Sequence, residues 1–487
     1  MAAATVVVLV VTGIVAVGSP AVQAQTAPRP VIFVHGVLGS ANQFESQSLR
    51  FTSNGYPIGH VVGFDYDSLG IGANTELVRG QLDALIASLQ SATGSAQVDL
   101  VGHSLGTSVL QGYLNSDPAR AADVARYVNL DGFAAASLPG GVPTLAVWGR
   151  GNDDRELVGG QNVHFGDQTH TQVVTSPETF EVMYEFLTGA APSSRDIVRQ
   201  RAGEIELSGR AHLFPSNGPV VDGDLEIYEI DPGSGARLDA TPVATFPLTA
   251  GAWGPFAADP AAHYEFAIVR NGNAHHHYFE PFVRSSRLMR LLTSEPGEGL
   301  DALWERGPDH ANLVLLRNKE WWGDQGAAND ELTVDGTPVV SPETAPVGKR
   351  VLAAFVWDIG MDGVSNPGVP APAFAALPFL TGVDINVPAA APPDTTVAVR
   401  SVPRLGNGLV VEVNVPNWAS DNDRITIQFN DFTVTADPLP LPVETTTTTT
   451  PAPSSTTTTS DGGSSTTVPA GPQAAARPVS ASPRFTG

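Results

Sequence analysis

The sequence predicts an α/β domain with a mostly parallel sheet, then all-β sandwich domains and a disordered tail, and three observations carry that division. From Pro30 to about Leu187, short apolar runs alternate with stretches whose apolar residues recur every three to four positions. Such alternation marks a parallel sheet with helices on both faces. From Glu204 the spacing switches to two, between turns such as Asp222-Gly223 and Asp231-Pro232-Gly233, which is the pattern of a β-sandwich. Beyond Glu444 the chain is dominated by Thr, Ser and Pro. That composition cannot bury a core.

A length of 487 residues exceeds one ordinary core and implies several domains. The expected boundaries are 1–24, 25–195, 203–270, 271–436 and 437–487, with 271–436 forming one further β domain or two. Residues Thr5 to Val17 are apolar apart from Thr12 and Gly13, and Ser19 to Ala24 are mostly small. Although no Lys or Arg precedes it, this run predicts a signal peptide cleaved after Ala24, hence a secreted chain with no membrane insertion afterwards. The Thr-rich tail reads as a stalk suited to glycosylation or to association with a cell wall.

Composition also excludes chemistry. The chain has no cysteine, so disulfides, thiolate metal sites and a Cys nucleophile are ruled out. A net charge of −24 repels nucleic acid and anionic membranes. His275-His276-His277 cannot converge on one ion, because consecutive strand residues point to opposite faces. Asp358 and Asp362 sit among glycines without the spacing of a calcium loop. Neither a metal nor a cofactor is expected.

The first domain is read in order. Pro30 to Val34 is a buried strand ending in His35-Gly36-Val37-Leu38-Gly39-Ser40, a loop free to fold back over the sheet, with His35 as its structural fixture. Gln43 to Phe51 reads as a helix, His60 to Tyr66 as a strand, and Leu77, Val78, Leu82, Leu85, Ile86 and Leu89 mark a long helix by their spacing. Next comes Gly102-His103-Ser104-Leu105-Gly106 between an apolar strand and a helix. There the central Ser104 is held on a sharp turn as an exposed nucleophile. The amides of Val37 and Leu105 are the candidate oxyanion donors. Asp131 ends the next strand, 27 positions after the serine (131 − 104). Asp153 and Asp154 follow the strand after that, so either end offers the acid. His170, in a loop, is preferred as base over His164, which lies within a strand. Ser176-Pro177 then opens a helix that would pin the His170 loop.

On these residues, 29–190 resemble an α/β-hydrolase of the bacterial and archaeal lipase group. The match rests on the Val34 to Ser40 loop, Gly102 to Gly106, Asn129 to Gly132, Pro143 to Gly149 and, most specifically, His170 to Phe180. The chain is similar to an archaeal carboxylesterase/lipase type whose C-terminal β-rich domain binds long acyl chains. Residues 203–270 resemble a transthyretin-like module. The resemblance implies ester or lipid substrates, a Ser104, His170, Asp131 triad and no cofactor; relatives that take the acid from after the seventh strand would point to Asp153 instead. Only Ser68 to Ala73 stand where that relative carries a long helical lid, so a large lid is not expected. Two readings compete: an amidase or peptidase on the same scaffold, and a cell-surface binding protein whose hydrolase domain is vestigial. Trp321-Trp322 reads as β-domain core rather than as an acyl contact.

Overall fold

The computed structural model describes residues 28–434 except 296 and 407. The export signal read at 1–24 and the tail read at 437–487 lie outside the described residues.

Strands β1 (Val31–Val34), β2 (Val61–Phe64), β3 (Val98–His103), β4 (Val124–Leu130), β5 (Thr144–Trp148) and β6 (Gln161–His164) form one sheet in the order β2-β1-β3-β4-β5-β6. Every neighbouring pair is parallel. The helices are α1 (Glu45–Ser53), α2 (Ile71–Thr93), α3 (Leu105–Ser116), α4 (Pro118–Ala122), α5 (Gln172–Thr175) and α6 (Pro177–Thr188). Side chains of a strand alternate between faces, and β1 shows the result. Ile32 and Val34 pack with Val78 and Leu82 of α2 and Leu110 of α3, whereas Val31 and Phe33 pack with Phe51 of α1 and Phe180 and Met183 of α6. Helices on both faces bury the sheet, which is why its strands read as continuous apolar runs. Helix α6 begins as its sequence suggests: the Ser176 hydroxyl accepts the Thr179 amide at 3.1 Å, with Pro177 in the first turn.

The β-rich region continues with β7 (Ile205–Leu213), β8 (Gly218–Pro219), β9 (Asp224–Ile230), β10 (Ala244–Pro247), β11 (Ala252–Ala258), β12 (His263–Arg270), β13 (Asn273–Phe279) and β14 (Ser286–Thr293). It is completed by β15 (Leu313–Arg317), β16 (Glu331–Val334), β17 (Thr337–Pro338), β18 (Ala353–Trp357), β19 (Asn366–Pro370), β20 (Leu380–Asp384), β21 (Thr396–Val402), β22 (Val411–Pro416) and β23 (Asp423–Phe429). A nine-stranded sheet runs β10-β9-β12-β13-β23-β15-β18-β20-β19, and two small sheets, β11-β7-β14 with β8 beside β7 and β17-β16-β21-β22, pack against it. The first sandwich core holds Leu207, Leu225, Ile227, Phe266, Ile268 and Leu291. The second holds Leu313, Leu315, Ile425, Ile427, Val397 and Val415.

One boundary read in the sequence is corrected by the fold. The division between 203–270 and 271–436 falls in the turn of the β12–β13 hairpin, where Arg270 pairs with Asn273. Strand β13 then pairs in parallel with β23, setting Ala274 beside Asp423. Parallel partners so far apart leave no local trace in hydrophobic spacing. The nine-stranded sheet is therefore continuous across that division.

The register of this sheet also explains its two faces. Leu313, Leu315, Ile425 and Ile427 enter the second sandwich, so the intervening Val314, Leu316, Arg424 and Thr426 project from the opposite face. Val314 stands beside Thr426 on one side and Phe355 on the other. This second face lies over the carboxyl ends of the parallel strands, where it walls a pocket with the Ser104 and Val37 loops.

Candidate active site

Ser104 closes β3 and precedes α3 with φ 52° and ψ −119°, a conformation that side chains rarely adopt and that marks a strained strand-to-helix elbow. The turn is held at both ends. The Ser104 amide donates to the Leu130 carbonyl at 3.1 Å, and its own carbonyl accepts the Thr107 hydroxyl at 2.7 Å. A side chain at Gly106 would place its Cβ 2.3 Å from the Val34 carbonyl oxygen, so only glycine lets α3 approach β1 this closely. The Ser104 hydroxyl has no hydrogen-bond partner among the described residues and lines the pocket.

Asp131 ends β4 at φ 45°, and its carboxylate is fully engaged. One oxygen accepts the Gly149 amide and the Asn152 side-chain amide, each at 2.7 Å; the other is 2.7 Å from Nδ1 of His170. Burial pushes this acid up, but the His170 ring and the two amides outweigh it and bring it down to about 2. A carboxylate beside Nδ1 makes that nitrogen the donor and leaves Nε2 as the acceptor. His170 lines the same pocket as Ser104. Asp153, by contrast, is exposed and makes no bond to His170. His164 is exposed too, its Nε2 on the Arg155 carbonyl at 3.1 Å. The structure brings Asp131, and not Asp153 or His164, to the site.

The two candidate oxyanion donors are arranged by neighbouring loops. Leu105 is the first residue of α3, so its N–H has no intrahelical acceptor. Val37 lies in the loop after β1, whose next amide, Leu38, donates to the Ser68 hydroxyl at 2.9 Å. Only residues 65–70 separate β2 from α2, and Ser68 within them pins the Val37 loop. His35 supports it from below. Its Nδ1 donates to the Gly36 carbonyl at 2.8 Å, and its ring stacks on Tyr66 at 4.5 Å. Burial keeps this imidazole below its ordinary value and therefore neutral.

Several supporting residues were given no role by the motifs. His103, the neighbour of Ser104, donates from Nε2 to the His170 carbonyl at 3.0 Å, and the two rings lie 4.5 Å apart. Burial and the adjacent His170 hold His103 well below the usual range, in the uncharged form. From the β-rich region comes Glu320, with no exposed surface. Its carboxylate accepts the Thr171 amide at 2.8 Å and the Thr169 hydroxyl at 2.7 Å, bracketing His170. Asn217 reaches the other loop, donating to the Gly39 carbonyl at 2.8 Å and the Tyr66 carbonyl at 3.1 Å. Only long-range structure could reveal either contact.

The pocket has a volume of about 1050 Å³, open mouth included. Leu292, Trp304, Val314, Leu316, Phe355 and Leu380 give it an apolar wall, and the Phe379 ring lies nearly parallel to that of His170 at 6.3 Å. Trp321 is instead fully buried in the second sandwich, and Trp322 lies beneath the Arg404 guanidinium at 4.0 Å. Among the described residues no group of three or more His, Asp or Glu is placed to hold a metal. None of their helices is long and apolar enough to cross a membrane. The His275, His276 and His277 rings are engaged by Thr293, Glu265 and the Leu292 carbonyl, respectively, and Asp358 accepts the Asp362 and Gly363 amides of its own turn.

Residues 28–117 match the model of the class 2 lipases, 203–296 that of the lipase C-terminal domain, and 299–433 a further model described as a C-terminal domain. No curated protein sequence matches the chain. Among solved structures, a Listeria innocua gene product is 15% identical, covering 34% of this chain and 97% of its own, with a TM-score of 0.26. Aspergillus fumigatus lipase B is 16% identical, covering 36% and 57%, with a TM-score of 0.27. The propeptide form of a Bacillus licheniformis lipase is 12% identical, covering 82% and 95%, with a TM-score of 0.28. By its family models and its parallel sheet, the chain is an α/β-hydrolase of the lipase type with a β-rich C-terminal region.

Proposed function

We propose that the chain is a secreted serine hydrolase that cleaves carboxylic esters of apolar acids through an acyl-enzyme. The reading rests on one observation above the others: His170, joined to Asp131 at 2.7 Å, lines the pocket into which Ser104 projects from a strained elbow. In the first step Nε2 of His170 takes the Ser104 proton as the oxygen attacks the acyl carbon. Asp131, ionised across the physiological range, stabilises the imidazolium and fixes its tautomer. The amides of Val37 and Leu105 bind the oxyanion, which collapses as His170 protonates the departing alcohol. Water, deprotonated by the same ring, then attacks the acyl carbon, and the ring gives that proton to the Ser104 oxygen as the acyl–oxygen bond breaks and the acid leaves. No step calls for a metal or cofactor.

The acyl chain lies along the apolar wall of the pocket, which favours esters of hydrophobic acids over the peptide bonds of the competing amidase reading. Export through residues 1–24 and attachment through the Thr-rich tail complete the proposal as a cell-surface or extracellular enzyme. Ser104→Ala is expected to lower kcat on p-nitrophenyl butyrate by at least about 10⁴ and to abolish labelling by a fluorophosphonate. Ordinary turnover by that variant would overturn the assignment.

A further inference from the structure

The far end of the pocket is polar. Where the nine-stranded sheet meets β14, its wall changes from Leu316, Phe355 and Leu380 to His275, Thr293, Thr426 and Arg424. These are deeply buried groups: Arg424 is 6% exposed and Thr426 and His275 are each 5% exposed. His275 bridges two hydroxyls, with Nδ1 at 2.9 Å from Thr293 and Nε2 at 2.8 Å from Thr426. Burial keeps this ring well below its ordinary value, so it donates to one hydroxyl and accepts from the other.

Arg424 is only partly engaged. Its Nη1 donates to the Ser294 carbonyl at 3.1 Å and lies 3.4 Å from Asp301. Nε and Nη2 have no hydrogen-bond partner among the described residues. A guanidinium keeps five N–H donors at any accessible pH, and these two nitrogens are open to the pocket, where water or an acceptor on a ligand can meet them. Asp301 is already occupied: it accepts the Trp304 indole N–H at 3.0 Å and the Gly297 amide, with Arg306 at 3.6 Å. The nearby charges balance, since Arg270, Arg306 and Arg424 face Asp222, Glu295 and Asp301. What this end of the pocket lacks is a neutral acceptor, not a counter-charge.

Its position along the sheet is set by register. Arg424, Thr426 and Gln428 share one face of β23, and the Gln428 amide reaches Glu45 of α1. Four residues of strand set Arg424 about 13 Å beyond Gln428, away from the α/β domain. A chain anchored at Ser104 and following the apolar wall runs toward Arg424.

Building on the reading of Ser104 as nucleophile, we propose that the pocket selects esters whose acyl chain carries a second neutral oxygen acceptor, a hydroxyl or a further ester carbonyl, several carbons beyond the scissile bond. Arg424 is its specificity-determining donor, and Thr426, held by His275, frames the same place. A plain alkyl chain leaves these donors unmet.

The test compares p-nitrophenyl esters of unsubstituted, ω-hydroxy and ω-methoxycarbonyl acids over a graded series of lengths. In the full chain, the kcat/KM of an oxygenated ester relative to its plain counterpart is expected to peak at about tenfold near one length. Arg424→Met should return that ratio to about one, and Arg424→Lys should keep part of it. Because the two substrates share one preparation, loss of folded protein cancels from the ratio. A peak for the methoxycarbonyl series points to polyester-like substrates and one for the hydroxy series to hydroxyacyl esters; both uphold the proposal. A ratio near one at every length, or a preference that survives Arg424→Met, overturns it. Binding separates this from the reaction itself: Ser104→Ala is titrated with the methyl ester of the ω-hydroxy acid and of the plain acid, followed by tryptophan fluorescence, since Trp304 lines the pocket. Discrimination there without turnover by the unmodified enzyme would sink the nucleophile and keep the pocket, whereas turnover without discrimination would do the reverse.

Discussion

The parallel sheet and the nine-stranded sheet meet at one pocket and contribute to it in different ways. The groups assigned to bond making, Ser104, Asp131, His170 and the Val37 and Leu105 amides, stand on loops at the carboxyl ends of parallel strands. The β-rich region supplies the apolar wall and grips the loops that carry His170 and Val37, through Glu320 on one and Asn217 on the other. Glu320 is 149 residues from Thr171, and Asn217 is 178 residues from Gly39. The chemistry is local to one sheet, while its geometry depends on both.

The largest effect expected from breaking this division is on the α/β side. Asp131→Asn should cut kcat on p-nitrophenyl butyrate by about 10³–10⁴, because the amide cannot both stabilise the imidazolium and hold its tautomer. Asp153→Asn, at an exposed carboxylate, should leave kcat within about twofold. If the two variants exchange these outcomes, the acid comes from after β5 and the contact seen at Asp131 is structural.

A smaller effect should arise from the β-rich side. Glu320→Ala removes both acceptors that bracket His170 and leaves the Thr171 amide buried and unmet. We expect kcat to fall by about 10–10² with little change in KM, since the His170 loop moves while the apolar wall stays in place. Glu320→Gln retains a carbonyl for the Thr171 amide and should recover part of that loss. Equal losses in both variants, or a change confined to KM, would show that Glu320 does not position the base.

The same contrast explains what was legible in the sequence. The Gly102 to Gly106 elbow, the Asp131 strand end and the His170 loop are each encoded within a few residues, so local spacing placed them. Choosing Asp131 over Asp153 was not local: it depends on how β4 and β5 lie in the sheet, with the Gly149 amide and Asn152 turned onto the Asp131 carboxylate. The 270/271 boundary misled because alternation describes one strand and not its partners, and β13 pairs with β23 from the far end of the region. Arg424 and Glu320 read as ordinary charged residues of a β domain. Their burial at the seam is a property of the tertiary fold alone.

The smallest expected effect concerns that seam and gives it a pH dependence. Glu45 of α1 is partly buried against β23, where it accepts the Gln428 amide at 3.3 Å. Burial, reinforced by nearby Asp431, raises this acid to about 7, against the opposing pull of Ser286, Arg290 and Gln428. Asp431 is itself buried, and burial pushes it up. An acid whose folded value lies above its unfolded one stabilises fully below about pH 4.5, and that contribution is lost as the pH rises through about 7. Allowing for partial exposure, the loss is worth about 1–2 kcal/mol. Glu45→Gln keeps the hydrogen-bonding shape without the charge, so its Tm should match the parent near pH 4.5 and exceed it by a few degrees at pH 8. A variant that follows the parent at every pH would place the ionisation of Glu45 outside the seam's stability, leaving the grip of the two regions to Glu320, Asn217 and the apolar wall.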